Sequence, residues 1–356
     1  MNFIEEVTAV LAEKAASDQF SGVVGIWQAG EPQLAYVSGL AHRGWQIANT
    51  LETRFRLASI SKMFTAVATL QLIDENQFQL ETPIHELLDL SQTTIPTNVT
   101  IFHLLNMSSG IADWFEESEN WEADWAALCR ENPLYLLRQN ADYLPLFSQK
   151  APNFGAGERY QYNNAGYILL GLAIEAVTGQ SYFEAVRQRV FAPAGMTGAD
   201  FIPLDAVADN LAEGYVPQEN EAGQTTWQKN IYSTTPAAAG DGGAVATAVD
   251  LHNFSVALRN GRLLSPERTQ AMLTPHIQQK ETPMRGYFWH YGFGNEFVFD
   301  PQQELLRWGH TGEEDGVSCR FYHYPAQQLD VVILGNQSWC AGTLGWQIHD
   351  LIQTHL

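Results

Sequence analysis

Phe55-Arg56-Leu57-Ala58-Ser59-Ile60-Ser61-Lys62-Met63-Phe64-Thr65-Ala66 sets a serine at the mouth of an apolar, helix-forming run, with a lysine three residues further on. On a helix, positions i and i+3 share a face one turn apart, which brings the Lys62 ammonium within reach of the Ser59 hydroxyl. A serine at that end also faces unpaired backbone N–H groups and the positive end of the helix dipole, both of which favour developing negative charge. A serine nucleophile needs these features. The same tetrapeptide also serves as a plain helix start, a serine N-cap ahead of a surface lysine, so its neighbours have to decide.

Downstream the helix continues through Val67, Leu70, Leu72 and Ile73 and is expected to stop near Asn76. Upstream, Phe3, Ile4, Val7, Val10 and Leu11 stand at helical spacing over residues 3–16. Residues 21–27 and 33–37 follow as β-rich runs joined by Ala29-Gly30-Glu31-Pro32, an antiparallel hairpin. Residues 77–235 read as mostly helical: a short helix over 100–107, a buried one over 166–177 stopped by Gly179, and a Ser181-x-x-Glu184 capping box. Beyond Pro236 comes a small, Gly-rich run, then a helix over 249–258. Strands are expected over 291–299, 303–308, 317–324 and 330–334, with a last amphipathic helix carrying Leu344, Ile348, Leu351 and Ile352. This order predicts an α+β fold. One antiparallel sheet is built from both chain ends, residues 1–76 together with 236–356, and a helical subdomain, 77–235, packs beside it with the active site at their junction.

The 356 residues hold 45% hydrophobic and 12% aromatic side chains, enough for a large core and too many for a disordered chain. Nineteen basic against 40 acidic residues give a formal charge of −21, which repels nucleic acid and other polyanions. Cys129, Cys319 and Cys340 are odd in number and widely spaced, as in a reducing compartment. His42, His85, His103 and His290 lack zinc-site spacing, so neither metal nor cofactor is expected. Met1-Asn2-Phe3-Ile4-Glu5-Glu6-Val7 carries acids where a signal peptide would carry bases, and no run approaches 18 apolar residues. The expectation is a cytoplasmic protein with no membrane span, acting on a small molecule or short peptide. Its oligomeric state is not legible.

Two further constellations carry chemistry. In Arg159-Tyr160-Gln161-Tyr162-Asn163-Asn164-Ala165-Gly166-Tyr167, a phenol and an amide two residues apart point the same way in an extended loop. Tyr162 can then exchange a proton with Ser59 if the Lys62 cation favours the phenolate, and Asn164 can hold an acyl substituent. The alternative is a loop in which the tyrosine packs and an asparagine caps the next helix. Trp308-Gly309-His310-Thr311-Gly312-Glu313 runs along an expected strand whose glycines permit close approach, and its N–H groups with that of Ser59 can form an oxyanion hole. Read alone, Gly-His-Thr-Gly is a turn.

In this order and spacing, Ser59-x-x-Lys62, Tyr162-x-Asn164 and His310-Thr311-Gly312 resemble the three motifs of the penicillin-recognising serine hydrolases. The branch resembled holds class C β-lactamases, D,D-carboxypeptidases, D-aminopeptidases and related family VIII-type esterases. The likeness extends to Arg54-Phe55-Arg56-Leu57-Ala58-Ser59, Tyr167-Ile168-Leu169-Leu170-Gly171 and Gly242 to Leu251, and spans roughly residues 5–355. It implies an α/β sandwich, with the antiparallel sheet flanked by N- and C-terminal helices plus an all-helical subdomain. By this resemblance Ser59 would be acylated, with Lys62 and Tyr162 sharing its activation. Asn164 would orient the acyl group, His310, Thr311, Gly312 and Glu313 would bind substrate, and the Ser59 and Glu313 N–H groups would form the oxyanion hole.

His310 stands where β-lactamases usually have lysine and, mostly uncharged at neutral pH, holds a carboxylate less well. Glu313-Glu314-Asp315 and the stretch from Asp113 through Trp114, Phe115, Glu116, Glu117, Glu119, Trp121 and Glu122 to Asp124 add acids near the expected site mouth. These acids should repel anionic substrates, unless they are simply solvated surface. The expectation is therefore an esterase or D-amino-acid peptidase type of acyl-enzyme hydrolase for a neutral or cationic substrate. The alternatives are a true β-lactamase or D,D-carboxypeptidase, and a binding or sensing protein that does not turn over.

Overall fold

Val331-Val332-Ile333-Leu334 sends alternate side chains to opposite sides of a sheet, Val331 and Ile333 into one core and Val332 and Leu334 into another. Both faces are covered, which is why this strand reads as an unbroken apolar run. The computed structural model describes residues 2–116 and 120–356, without the side chain of Glu122. Its main sheet has eight antiparallel strands: β1 (Gly22–Gln28), β2 (Glu31–Ser38), β3 (Ile277–Gln278), β4 (Phe288–Tyr291), β5 (Glu296–Phe299), β6 (Leu305–Glu314), β7 (Val317–Tyr324) and β8 (Leu329–Gly335). Their spatial order is β2-β1-β8-β7-β6-β5-β4-β3. The first strand pairs with the last, Val24 opposite Ile333, so the two ends of the chain close one sheet.

Helices α1 (Phe3–Ala16) and α5 (Cys340–His355) cover the outer face. Phe3, Val7 and Leu11 meet Leu344, Ile348 and the outward side chains of β1 and β8. Asn2 caps α1 in a reciprocal box with Glu5. On the inner face lies α2 (Lys62–Asp74). Eleven of its thirteen residues are buried, as expected of a helix with no polar stripe that is packed on all sides. Helices α3 (Asn164–Thr178) and α4 (Ala248–Arg259) complete that core. α3 ends at Gly179 in the left-handed conformation, φ +68°, and α4 starts on a Thr247–Asp250 capping box.

Three elements differ from the sequence reading. Residues 291–299 form a hairpin, β4 and β5, because Gly292 N–H bonds the Asn295 carbonyl and Gly294 turns at φ +70°. β6 joins the strand expected over 303–308 and the Trp308–Glu313 stretch without a break, paired with β7 from Trp308 to Glu314. The stretch 77–235 contains, beside its helices, a hairpin of Tyr215–Glu219 and Thr225–Lys229. The course of β6 matters most. β5 accompanies it only as far as Gly309, so residues 310–314 keep β7 on one side and present their other edge toward Ser59.

Candidate active site

Ser59 lies in a one-turn 3₁₀ helix, Ala58–Ser61, and the α-helix proper begins at Lys62. Side chains three apart eclipse in a 3₁₀ turn, so the Ser-x-x-Lys spacing acts more directly than on an α-helix. Lys62 Nζ donates to Ser59 Oγ at 2.9 Å, to Asn164 Oδ1 at 2.8 Å and to the Asp241 carbonyl at 2.7 Å, with the lysine side chain wholly buried. Ala58 enters the turn at φ +45°, a conformation that costs a non-glycine residue about 1–2 kcal/mol. Neighbouring bonds hold it there: Leu57 N–H to the Ala244 carbonyl, Ser61 Oγ to the Ala58 carbonyl, and Ala244 N–H to Ser61 Oγ.

The two asparagines after Tyr162 divide the work that the sequence left open. Asn163 caps α3, accepting the Gly166 N–H at 2.7 Å, and this frees the Asn164 amide to face Lys62. Asn164 is oriented by Asp113, whose Oδ2 accepts both its backbone N–H at 2.6 Å and its Nδ2 at 3.2 Å. Tyr162 packs with its ring centroid 4.9 Å from Lys62 Nζ. Ser59, Tyr162, Asn164, Thr311 and Glu313 all line one cleft of about 530 Å³.

A family model described as Beta-lactamase matches residues 7–339. This chain belongs to the β-lactamase family. It is 26% identical to penicillin-binding protein 4 of Amycolatopsis lactamdurans, over 84% of this chain and 76% of that one. It is 25% identical to the D-aminopeptidase of Brucella anthropi over 93% of this chain, and spans 58% of that protein's length. The crystal structure of the penicillin binding protein from Bacillus halodurans superposes with a TM-score of 0.86 at 34% identity, covering 95% of this chain and 99% of that one. As a β-lactamase family member the chain is a serine hydrolase.

His310, expected to bind substrate, is not among the residues that line the cleft. It sits 1% exposed behind the cleft wall, with Nδ1 2.6 Å from the Thr311 carbonyl and Nε2 3.0 Å from Tyr291 Oη. The carbonyl requires a proton on Nδ1, so Nε2 accepts the tyrosine hydroxyl and both ring nitrogens are engaged. Burial pushes its pKa down to about 3, and the charge of Lys62 adds to the effect. Gly312 lies against the serine turn; a Cβ there would stand 2.1 Å from the Leu57 carbonyl oxygen. No larger residue fits.

Several acids read as a repulsive rim have internal partners. Glu313 pairs with Arg320 at 2.5 Å and accepts from Ser318, although burial still raises its carboxyl. Glu314 pairs with Arg56, which lies in the wall behind the cleft, and Asp113 is a buried helix cap. Glu117, Glu119 and the Glu122 side chain lie outside the described residues. The residue missed by sequence reasoning is Asp241. It stands alone as an acid in the small run 237–248, lines the cleft, and accepts from Trp114 Nε1 at 2.9 Å. Burial raises its carboxyl, with the Lys62 charge opposing. Among the described residues no group of three or more His, Cys, Asp or Glu could hold a metal ion, and no helix is long and apolar enough to cross a membrane.

Proposed function

We propose that the chain cleaves an ester or a peptide or amide bond, of esterase or D-amino-acid peptidase type, through an acyl-enzyme on Ser59, at the junction of residues 1–76 and 236–356 with 77–235. The 2.9 Å hydrogen bond between Lys62 Nζ and Ser59 Oγ at the floor of the cleft carries this reading. Ser59 Oγ attacks the carbonyl carbon while its proton passes through Lys62 and Tyr162 to the leaving oxygen or nitrogen. Tyr162 as the phenolate can take that proton first beside the Lys62 ammonium, or Lys62 can take it as the free amine, in which case Ser59 donates to Nζ while Nζ keeps its bonds to Asn164 and the Asp241 carbonyl. The C–O or C–N bond then breaks, and water, activated by the same pair, releases the acid. The backbone N–H groups of Ser59 and Glu313 stabilise the oxyanion, the open edge of β6 at Thr311 aligns the substrate, and Lys62 fixes the Asn164 amide beside it.

A neutral or cationic substrate is favoured: His310 offers no free charge for a carboxylate, and among the described residues the cleft lining brings five carboxyl groups and no cation beyond the Lys62 ammonium beneath Ser59. The same net charge of −21 disfavours nucleic acid as a partner, and three unpaired thiols, Cys129, Cys319 and Cys340, suit the cytoplasm. Intact-mass measurement of wild type and Ser59→Ala after exposure to an activated ester, a fluorophosphonate and a penicillin tests the reading. The expected result is an ester adduct that needs Ser59 and decays within minutes, beside little penicillin labelling. A lasting penicillin adduct would point to a binding protein, and equal labelling of Ser59→Ala would overturn the nucleophile.

A further inference from the structure

The open edge of β6 is held by a buried pair of side chains that the proton transfers do not use. Glu314 and Val317 flank the two-residue turn Asp315-Gly316, so the alternate residues Glu314, Gly312 and His310 bond to β7, and the backbone groups of Thr311 and Glu313 point to the open side. On that side β5 has already left at Gly309, where the chain takes φ +150°. β5 therefore gives the Thr311 carbonyl no ladder partner. His310 supplies one, donating its Nδ1–H to that carbonyl at 2.6 Å.

A neutral imidazole that donates from Nδ1 leaves Nε2 bare, and the hydrogen it accepts comes from Tyr291 Oη, 3.0 Å away. Both side chains are buried, and Tyr291 is not part of the cleft lining. The turn from Gly292 to Asn295 explains the arrangement: it starts β5 at Glu296, opposite Gly309, and it ends β4 at Tyr291, which comes to lie beside His310. The two rings also back Tyr162, with centroids 6.4 Å and 6.3 Å from its own. Packing alone does not call for this pair. Two apolar side chains of the same shape would fill the space without burying a hydroxyl and an imidazole, an exchange that is often neutral or stabilising.

We propose that Tyr291 is a positioning residue for the hydrolytic reaction. Its hydroxyl fixes the His310 ring, the ring holds the Thr311 carbonyl, and the edge of β6 thereby keeps the direction that aims the Glu313 N–H at the oxyanion. This rests on the acyl-enzyme reading above and adds to it a side chain that lies outside the cleft and acts through a second one.

Tyr291→Phe removes one oxygen and keeps the ring, and its effect is read first without turnover. In ¹⁵N NMR of histidine-labelled protein, the His310 ring is assigned by its absence from the spectrum of His310→Leu. Wild type at neutral pH should show His310 uncharged with its proton on Nδ1, and Tyr291→Phe should move the Nε2 signal toward that of an imine nitrogen with no hydrogen bond. A proton on Nε2 in wild type, or an Nε2 signal unmoved in the variant, overturns the proposal. Turnover of p-nitrophenyl butanoate is then measured per active site, counted by fluorophosphonate labelling. Tyr291→Phe should lower kcat at least tenfold with KM within about threefold of wild type, because a misaimed N–H is felt by the oxyanion more than by the bound ester. In a His310→Leu background the same substitution should change kcat less than twofold, since the ring through which it acts is gone. Equal losses in both backgrounds, or wild-type kcat in Tyr291→Phe, make Tyr291 a packing residue and leave the hydrolase reading intact. If wild type neither turns over the ester nor takes the fluorophosphonate, the hydrolase reading fails and this proposal falls with it.

Discussion

Asp113 shows how one buried side chain can serve stability and chemistry together. Its Oδ1 accepts the N–H groups of Trp114 and Ala165, and its Oδ2 accepts the backbone and side-chain N–H groups of Asn164. The negative charge sits at the start of α3, where the helix dipole favours it. Asp113→Ala leaves several buried donors without a partner, each costing about 1–3 kcal/mol, and lets the Asn164 amide turn away from Lys62. Urea denaturation should show a loss of about 2–4 kcal/mol, and kcat on an activated ester should fall more than KM rises. Asp113→Asn keeps two of the acceptor contacts and should lie between. His310 supplies a different prediction. With its pKa pushed down to about 3 by burial and by Lys62, it carries no charge that could change above pH 5. The kcat/KM profile of His310→Gln should keep its wild-type shape between pH 5 and 8, whatever its height, and a limb near pH 6.5 lost on substitution would contradict this.

The element that aligns the site is the meeting of β6 with the serine turn. β5 ends its pairing at Gly309, which leaves the next five residues of β6 open on the side of Ser59. Gly312 is the closest approach, and the atom it would strike, the Leu57 carbonyl oxygen, is backbone, which cannot move aside as a flexible side chain does. Gly312→Ala should therefore separate strand and turn, displace the Glu313 N–H from Ser59, and lower kcat/KM at least a hundredfold; thermal melting should fall by a few degrees only. The glycine and its strand were legible in the sequence as an alternation broken by small residues. Its pairing was not, because that depends on β5 leaving the strand at Gly309 while β7 folds back at the Asp315-Gly316 turn, where Gly316 sits at φ +74°.

At the scale of the whole molecule, buried histidines make stability depend on pH. Burial pushes both His310 and His349 down to about 3, with nearby cationic charges, Lys62 and Arg307 with Arg285 respectively, adding to it. Their unfolded value is near 6.5. Between those values the unfolded chain holds a proton that the folded chain does not, so stability is present above pH 6.5 and drains as the pH falls toward 3. Each group contributes about 1.4 kcal/mol per pH unit in that window. Asp241 and Glu313, whose carboxyls are raised, work in the opposite direction, so the clean measurement is a difference. Urea midpoints at pH 6 and pH 4.5 should show a smaller loss in His349→Phe than in wild type, by on the order of 2 kcal/mol. What the sequence determined by itself is local: the Ser59–Lys62 spacing, the caps at Ser181 and Gly179, and the alternation of the strands each follow from contacts within a few residues. Tertiary structure alone decided the electrostatics. Arg56 reaches Glu314 from 258 residues away and Trp114 reaches Asp241 across 127, so an acid's character as rim, helix cap or buried wall depends on which distant groups the fold brings beside it and how much water it removes.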